Sequence, residues 1–452
     1  MNINRDDFGK KFHWGVSTSA YQTEGAHNKD GKRDSIWDVF TNTKGNTHEN
    51  QHGNHATDFY HRYKLDMAIM KALNIPNFRM SLAWSRILPL GDGKINKKGL
   101  DFYDRLIDHA LALGINPWIT LYHWDLPYEL EKHGGWTNRE TLHRFEQFTE
   151  ICAKAFGDRI EHWMVLNEPM VFTGAGYFLG IHAPGKKGLK NFLPAVHHAA
   201  MAQAAGGRIL RDLCPKSEIG TTFSCSHIEP HRQIEKDIQA AKRIDAILNR
   251  LFIEPTLGMG YPSQDVKILN RIEEYMYPND EQLLPFKFDF IGVQNYTREI
   301  VEYSFLTPYI HAKILPAHTR GVPTTVMNWE IHEDSLYQML KKFGAYPKVK
   351  KIIVTENGAA FHDVKTATGH IHDLQRIKYL KTHIGNVLRA KNEGIKVKGY
   401  FIWTFTDNFE WAEGFKPRFG LVHVDFDTQQ RSIKDSGYWY RDFLKKKVKR
   451  RK

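Results

Sequence analysis

Residues 162–169 read His-Trp-Met-Val-Leu-Asn-Glu-Pro, and residues 351–358 read Lys-Ile-Ile-Val-Thr-Glu-Asn-Gly. Each is a short apolar run that ends in a polar cluster holding one glutamate. Six more runs of this kind occur at 12–20, 77–83, 116–122, 219–224, 288–294 and 398–405, alongside the apolar parts at 162–166 and 351–355. Longer amphipathic stretches separate them, the pattern of βα units around a parallel sheet. Between 98 and 113, Leu100, Phe102, Tyr103, Leu106, Ile107, Ala110 and Leu113 share one helical face, and Gly114 follows as a stop. Residues 139–156 repeat the scheme before Gly157. Eight strands with helical crossovers predict the α/β class and a single (β/α)8 TIM barrel over residues 1–444.

Composition agrees with a globular chain. Its 452 residues are 41% hydrophobic, 25% charged and 13% aromatic. No apolar run reaches the ~20 residues of a membrane span, so no membrane partner is expected. The start, MNINRDDFGKKFHWGVS, mixes acids and bases and lacks the apolar stretch of a secretory leader. Cys152, Cys214 and Cys225 form no CxxC spacing and leave one unpaired in any disulfide scheme. Both observations predict a cytoplasmic protein with buried structural thiols. Seven basic residues crowd positions 445–452, and without them the net charge falls from +12 to +5. The tail reads as a solvated, disordered run rather than a nucleic-acid surface. His48, His52, His55 and His61 are dense but follow no zinc spacing, so no catalytic metal and no cofactor are expected.

In a βα barrel the active site lies where strands end at their C-terminal rim, which makes Glu168 and Glu356 the leading candidates. Strands four and seven lie across the barrel from one another, so a substrate fits between the two acids. Glycoside hydrolysis needs such a pair: one acid protonates the departing oxygen, and the other attacks the anomeric carbon or activates water. Attack suits a separation of ~5–5.5 Å and gives retention. Either glutamate alone could equally serve a structural ion pair.

The blocks around these acids carry a resemblance. They are Phe12-His13-Trp14-Gly15 with residues 18–25 (TSAYQTEG), Phe78-Arg79-Met80-Ser81 with Trp84-Ser85-Arg86-Ile87, Tyr122-His123-Trp124-Asp125-Leu126-Pro127, Asn167-Glu168-Pro169, His182-Ala183-Pro184-Gly185, Thr355-Glu356-Asn357-Gly358, and Trp403 with residues 407–414 (DNFEWAEG). From Phe12 to Leu444 the sequence resembles glycoside hydrolase family 1, the β-glucosidase family. The resemblance implies Glu168 as acid/base, Glu356 as nucleophile, Arg79 and Tyr296 beside the nucleophile, and Asn167 on the sugar 2-hydroxyl. It implies that Gln22, His123, Glu410 and Trp411 bind the nonreducing sugar's hydroxyls, with Trp403 as the platform beneath its ring. Trp124 and Phe419 match positions lining the same pocket, and Trp329 matches one on the aglycone side. The substrate implied is a small-molecule β-glycoside or oligosaccharide ending in β-D-glucose, with β-D-galactose and β-D-fucose as further candidates. The oligomeric state is not read from the sequence.

One block departs from the family pattern. Gln294-Asn295-Tyr296 stands where the family has Asn-Tyr-Tyr, which keeps the tyrosine beside the nucleophile but predicts a reshaped pocket near the anomeric centre. Asn295-Tyr296-Thr297 also forms a glycosylation sequon, at a position expected to be buried. Two other readings compete. A noncatalytic sugar-binding relative would be expected to lose one of the two acids, and both are present. A 6-phospho-β-glycosidase would replace Glu410 with serine and place a lysine and a tyrosine a few residues on, whereas Lys416 and Phe419 follow here. Glu410 is expected to act as an anion that repels a 6-phosphate.

Overall fold

A computed structural model describes residues 3–445. Eight parallel strands close a barrel in sequence order: β1 (His13–Ser17), β2 (Asn77–Ser81), β3 (Asn116–Tyr122), β4 (His162–Asn167), β5 (Glu218–Ser224), β6 (Phe290–Gln294), β7 (Ile352–Asn357) and β8 (Val397–Trp403). The last strand pairs back onto the first, with His13 opposite Gly399 and Ser17 opposite Trp403. The eight expected runs are these strands, the third with the same ends and the others with different ones. The first and last are shorter than the sequence suggested: Ala20–Thr23 is already helical, and the chain leaves β8 at Trp403. The fourth and seventh run further, so that Asn167 and Glu356 are the last and the penultimate residues of their strands.

The helices Lys97–Ala112 and Glu140–Phe156 lie within a residue of expectation, and each buries one apolar face. Gly114 adopts a positive φ of 73°, the left-handed conformation a helix stop favours. Inside the barrel, Trp118, Met164, Phe290, Ile353 and Phe401 form a buried plug below the functional rim. Such a floor is a packed core rather than a pore. At the other end, where β5 and β6 finish, the strands His227–Pro230, Arg298–Tyr303 and Ala312–Leu315 form a small extra sheet. This sheet, absent from the sequence reading, builds one wall of the cavity described below.

Among the described residues no helix is long and apolar enough to cross a membrane. All three cysteines are buried and unpaired. Of the dense histidines, His61 meets Asp58 at 2.5 Å and His48 meets Glu49 at 3.7 Å, both local contacts. All of the basic tail except Lys445 lies outside the described residues.

Candidate active site

Alternation along a strand has a period of two, so a residue three positions from an inward-facing one should point outward. Asn167 stands three residues beyond the plug residue Met164, and Glu356 three beyond Ile353. Both nevertheless turn inward. The register of β4 against β5 shifts between Met164 and Asn167, and that of β7 against β6 shifts between Val354 and Glu356. Bulges of this kind re-aim side chains next to active sites. The helix that follows β4 starts with Pro169, and Glu168 just before it adopts φ 47° and ψ 62°. Trp124 and Trp411 also have positive φ, at 80° and 53°. Non-glycine residues held there cost of order 1–3 kcal/mol each, strain that collects at functional sites.

The fully buried Arg79 guanidinium, carried in from β2, joins the two rim strands. Its Nη1 donates to Glu356, its Nη2 donates to Asn167 Oδ1 at 2.6 Å, and its Nε rests on Met164 Sδ at 3.3 Å. Gln294 Nε2 donates to Glu356 Oε1 at 2.8 Å and to Asn167 Oδ1 at 2.9 Å. Tyr296 Oη donates to Glu356 Oε2 at 2.6 Å. Asn167 Oδ1 also accepts from Thr222 Oγ1 at 2.9 Å, which fixes its amide so that Nδ2 faces His123 Nε2 at 3.0 Å. His123 Nε2 is then the acceptor and Nδ1 carries the proton. Burial, helped by the Arg79 charge, holds the His123 pKa well below the ordinary value, so the ring is neutral. Its Nδ1 has no partner among the described residues.

Burial raises the pKa of both carboxyls. Glu168 is pushed up further by the charge of Glu356, with Ser224 and Arg79 pulling against it. Glu356 alone is surrounded by the donors Arg79, Gln294 and Tyr296. Of the two, Glu168 therefore holds the proton and Glu356 the charge.

A cavity of 390 Å³ opens above this pair. Its walls include Glu168, Glu356, Tyr296, His123, Trp124, Trp329, Trp403, Glu410, Trp411 and Phe419. Gln22, Arg79, Asn167 and Gln294 sit one layer behind. Gln22 Nε2 donates to Glu410 Oε2 at 3.2 Å and to the Phe409 carbonyl at 3.0 Å, while Ser19 Oγ donates to Gln22 Oε1 at 2.7 Å. Trp124 Nε1 donates to the Asn167 carbonyl at 2.9 Å. Gly358 lets the chain leave β7 against the Trp403 carbonyl, where any Cβ would collide. The site thus has an aromatic floor, a polar rim and two acids in unlike environments, the combination a sugar ring requires.

The model of the glycosyl hydrolase family 1 sequence matches residues 4–449. Beta-glucosidase A of Thermotoga maritima is 41% identical over 449 residues, 98% of this chain and 99% of that protein. Beta-glucosidase A of Acetivibrio thermocellus is 41% identical over 447 residues, with the same two shares covered. The solved beta-glucosidase from Thermotoga maritima in complex with deoxynojirimycin superposes with a TM-score of 0.92 at 40% identity, covering 97% of this chain and 98% of that one. The chain belongs to glycosyl hydrolase family 1. It is an O-glycoside hydrolase.

Several wall residues of this hydrolase escaped sequence reading. His182, Ser224, Cys225, Glu299 and Glu413 also line the cavity. His182 lies in a block that was recognised, and Ser224 ends a strand that was placed, so their signals were present. The anion expected at Glu410 needs correction. Burial and the nearby Glu356 charge raise its pKa to about 8, which shifts it toward the neutral form before substrate enters.

The departing block is resolved in physical terms. Gln294 is long enough to bond both Glu356 and Asn167. Asn295 turns away from the cavity: its Nδ2 donates to the Cys225 and Thr297 carbonyls at 2.9 and 3.1 Å, and its Oδ1 accepts from Ser335 Oγ at 2.9 Å. A fully buried and bonded Asn295 amide leaves no access for glycosylation. The two neighbours should separate cleanly in mutants. Tyr296→Phe should lower kcat by about a hundredfold, the cost of losing a donor to the reacting carboxylate. Asn295→Ala should instead lower the melting temperature, losing about 1–3 kcal/mol, and change kcat much less. Steady-state kinetics with thermal denaturation checks this, and a larger kcat loss in Asn295→Ala would contradict the assignment.

Proposed function

We propose that this hydrolase is a retaining β-glycosidase that releases terminal nonreducing β-D-glucosyl residues, working by double displacement with Glu356 as nucleophile and Glu168 as acid/base. The observation that carries the reading is the asymmetry of the two acids, because every strong donor is gathered on Glu356 while Glu168 meets burial and a like charge. A Glu356 carboxylate attacks the anomeric carbon as the protonated Glu168 delivers its proton to the departing oxygen. Glu168, now ionised, then takes a proton from water, which displaces Glu356 from the glycosyl ester and restores both groups.

The remaining roles follow from chemistry. Asn167 is suited to donate to the 2-hydroxyl, a contact that strengthens in the transition state. His123 offers its unpartnered Nδ1–H to a neighbouring hydroxyl. Glu410, bonded by Gln22, accepts from the 4- and 6-hydroxyls, and hydroxyl donors favour its ionised form. Trp411 assists there, and Trp403 carries the apolar face of the ring. The beta-glucosidases at 41% identity support glucose as the sugar. Proton NMR of the sugar first released from an aryl β-glucoside should show the β-anomer, and an initial α-anomer would overturn double displacement.

The phosphoglycosidase alternative meets an electrostatic barrier of a different kind from the one the sequence suggested. A 6-phosphate carries about −1.5 to −2 charges at neutral pH. With Glu410 partly neutral, direct repulsion is weaker than a fixed anion would give. Among the described residues, however, no lysine or arginine lines the cavity, so a buried dianion would find no compensating cation. Aryl β-glucosides should be turned over with at least about a hundredfold higher kcat/KM than their 6-phosphates, a difference of about 2.7 kcal/mol. Equal rates in parallel assays would promote the phosphoglycosidase reading.

A further inference from the structure

The cavity wall carries more acid than hydrolysis of a simple glucoside uses. Besides Glu168, Glu356 and Glu410, it includes Glu299 and Glu413. The two histidines of the wall do not offset this, since burial depresses the pKa of His123 and lowers that of His182 to about 4. At neutral pH the described part of the wall therefore contains no cationic side chain.

Glu299 occupies a particular place in this wall. It lies three residues beyond Tyr296, on the strand Arg298–Tyr303 of the small extra sheet, opposite Ile228. Glu299 stands five residues past the end of β6 at Gln294, so it lines the cavity from beyond the barrel strand, and Met327 and Trp329 line the same cavity. The arginines nearby are engaged elsewhere. Arg298 donates to Glu229 at 2.9 Å and to Glu330 at 2.5 Å, and Arg320 donates to Glu330 at 2.7 Å. Glu299 itself has no hydrogen-bond or ion-pair partner among the described residues, although Arg320 and Glu330 both act on it through space with opposite signs. Burial raises its pKa to about 7, the behaviour of a carboxyl that lacks a cation. A partly buried, unpartnered carboxyl and an indole lining one cavity are groups that recognise an ammonium ion, by Coulomb attraction and by the face of the ring.

We propose that Glu299 is a specificity-determining residue of the outer cavity, selecting β-glycosides whose aglycone carries a protonated amine, as in an amino sugar or an aminoalkyl aryl group. The inference rests on the glycosidase reading, and it adds the aglycone's charge to it. Glu299 touches the leaving part of the substrate and takes no proton in the reaction. Its influence falls on kcat/KM for charged aglycones, through binding of the group that departs.

The test compares 4-(aminomethyl)phenyl β-D-glucoside, cationic at neutral pH, with its neutral isostere 4-(hydroxymethyl)phenyl β-D-glucoside. The ratio of their kcat/KM values is measured for the wild type, Glu299→Gln and Glu299→Asp, which cancels differences in leaving-group reactivity between variants. The ratio should fall at least about tenfold in Glu299→Gln, as loss of one unit charge in a poorly hydrated site implies, and should be largely kept in Glu299→Asp. Should Glu299→Gln fail to fold, Glu299→Asp and the wild type still decide the matter through a competitive ligand pair, benzylamine against benzyl alcohol, with the amine expected to inhibit more strongly. An unchanged ratio in Glu299→Gln, or equal inhibition by the two ligands, would overturn the proposal. Failure of the wild type to cleave either glucoside would overturn the glycosidase reading itself, and the proposal with it.

Discussion

One buried cation organises this site. Arg79 is fully enclosed, and its guanidinium binds Glu356 from β7 and Asn167 from β4. A charge taken out of water is tolerated only when paired and hydrogen-bonded, and breaking such a pair costs about 3–5 kcal/mol because its partner is left stranded. The arrangement is therefore a constraint on the barrel: β2, β4 and β7 must keep their spacing for the charge to be tolerable. The plug of Trp118, Met164, Phe290, Ile353 and Phe401 supplies that spacing from below. Arg79 even rests on Met164, so the floor of the barrel and the charge of the site are in direct contact.

The same cation separates the chemical roles of two identical residue types. Both acids are buried, and burial alone would protonate both. Arg79 and Tyr296 oppose this most strongly at Glu356, where Gln294 also donates, and the Glu356 charge adds to the desolvation that raises the Glu168 pKa. The more firmly the nucleophile is held ionised, the more firmly the acid is held protonated. In the proposed mechanism, esterifying Glu356 removes its charge, and the pressure on Glu168 relaxes at the step where it would accept a proton. On that proposal a fixed scaffold supplies an acid and then a base without moving.

Much of this was legible in the chain because the barrel writes its strands as apolar runs and places chemistry at their ends. The runs 116–122 and 162–166 predict strands close to the observed ones, and the glutamates that follow the runs 162–166 and 351–355 lie on the rim as expected. What periodicity could not show was the register shift after Met164 and Val354. Strict alternation turns Asn167 and Glu356 away from the barrel axis, whereas the rim position marks Glu356 and the recognised sequence blocks mark both. Gln294 was read as a disturbance, whereas its extra methylene lets one amide serve both Glu356 and Asn167. Glu299 carries no local signal, since it is one of two acids on a short strand and gains its meaning from a sheet formed by segments 71 residues apart in sequence.

The mechanism turns on the division of labour between Glu168 and Glu356, and one experiment addresses it directly. Glu168→Ala should still be glycosylated by 2,4-dinitrophenyl β-D-glucoside, whose leaving group needs no proton, and should then stall as the glycosyl ester of Glu356. Added azide needs no general base, so it should attack that ester, raise the steady-state rate and yield β-D-glucosyl azide. Absence of rescue, or formation of the α-azide, would contradict the roles given to the two glutamates.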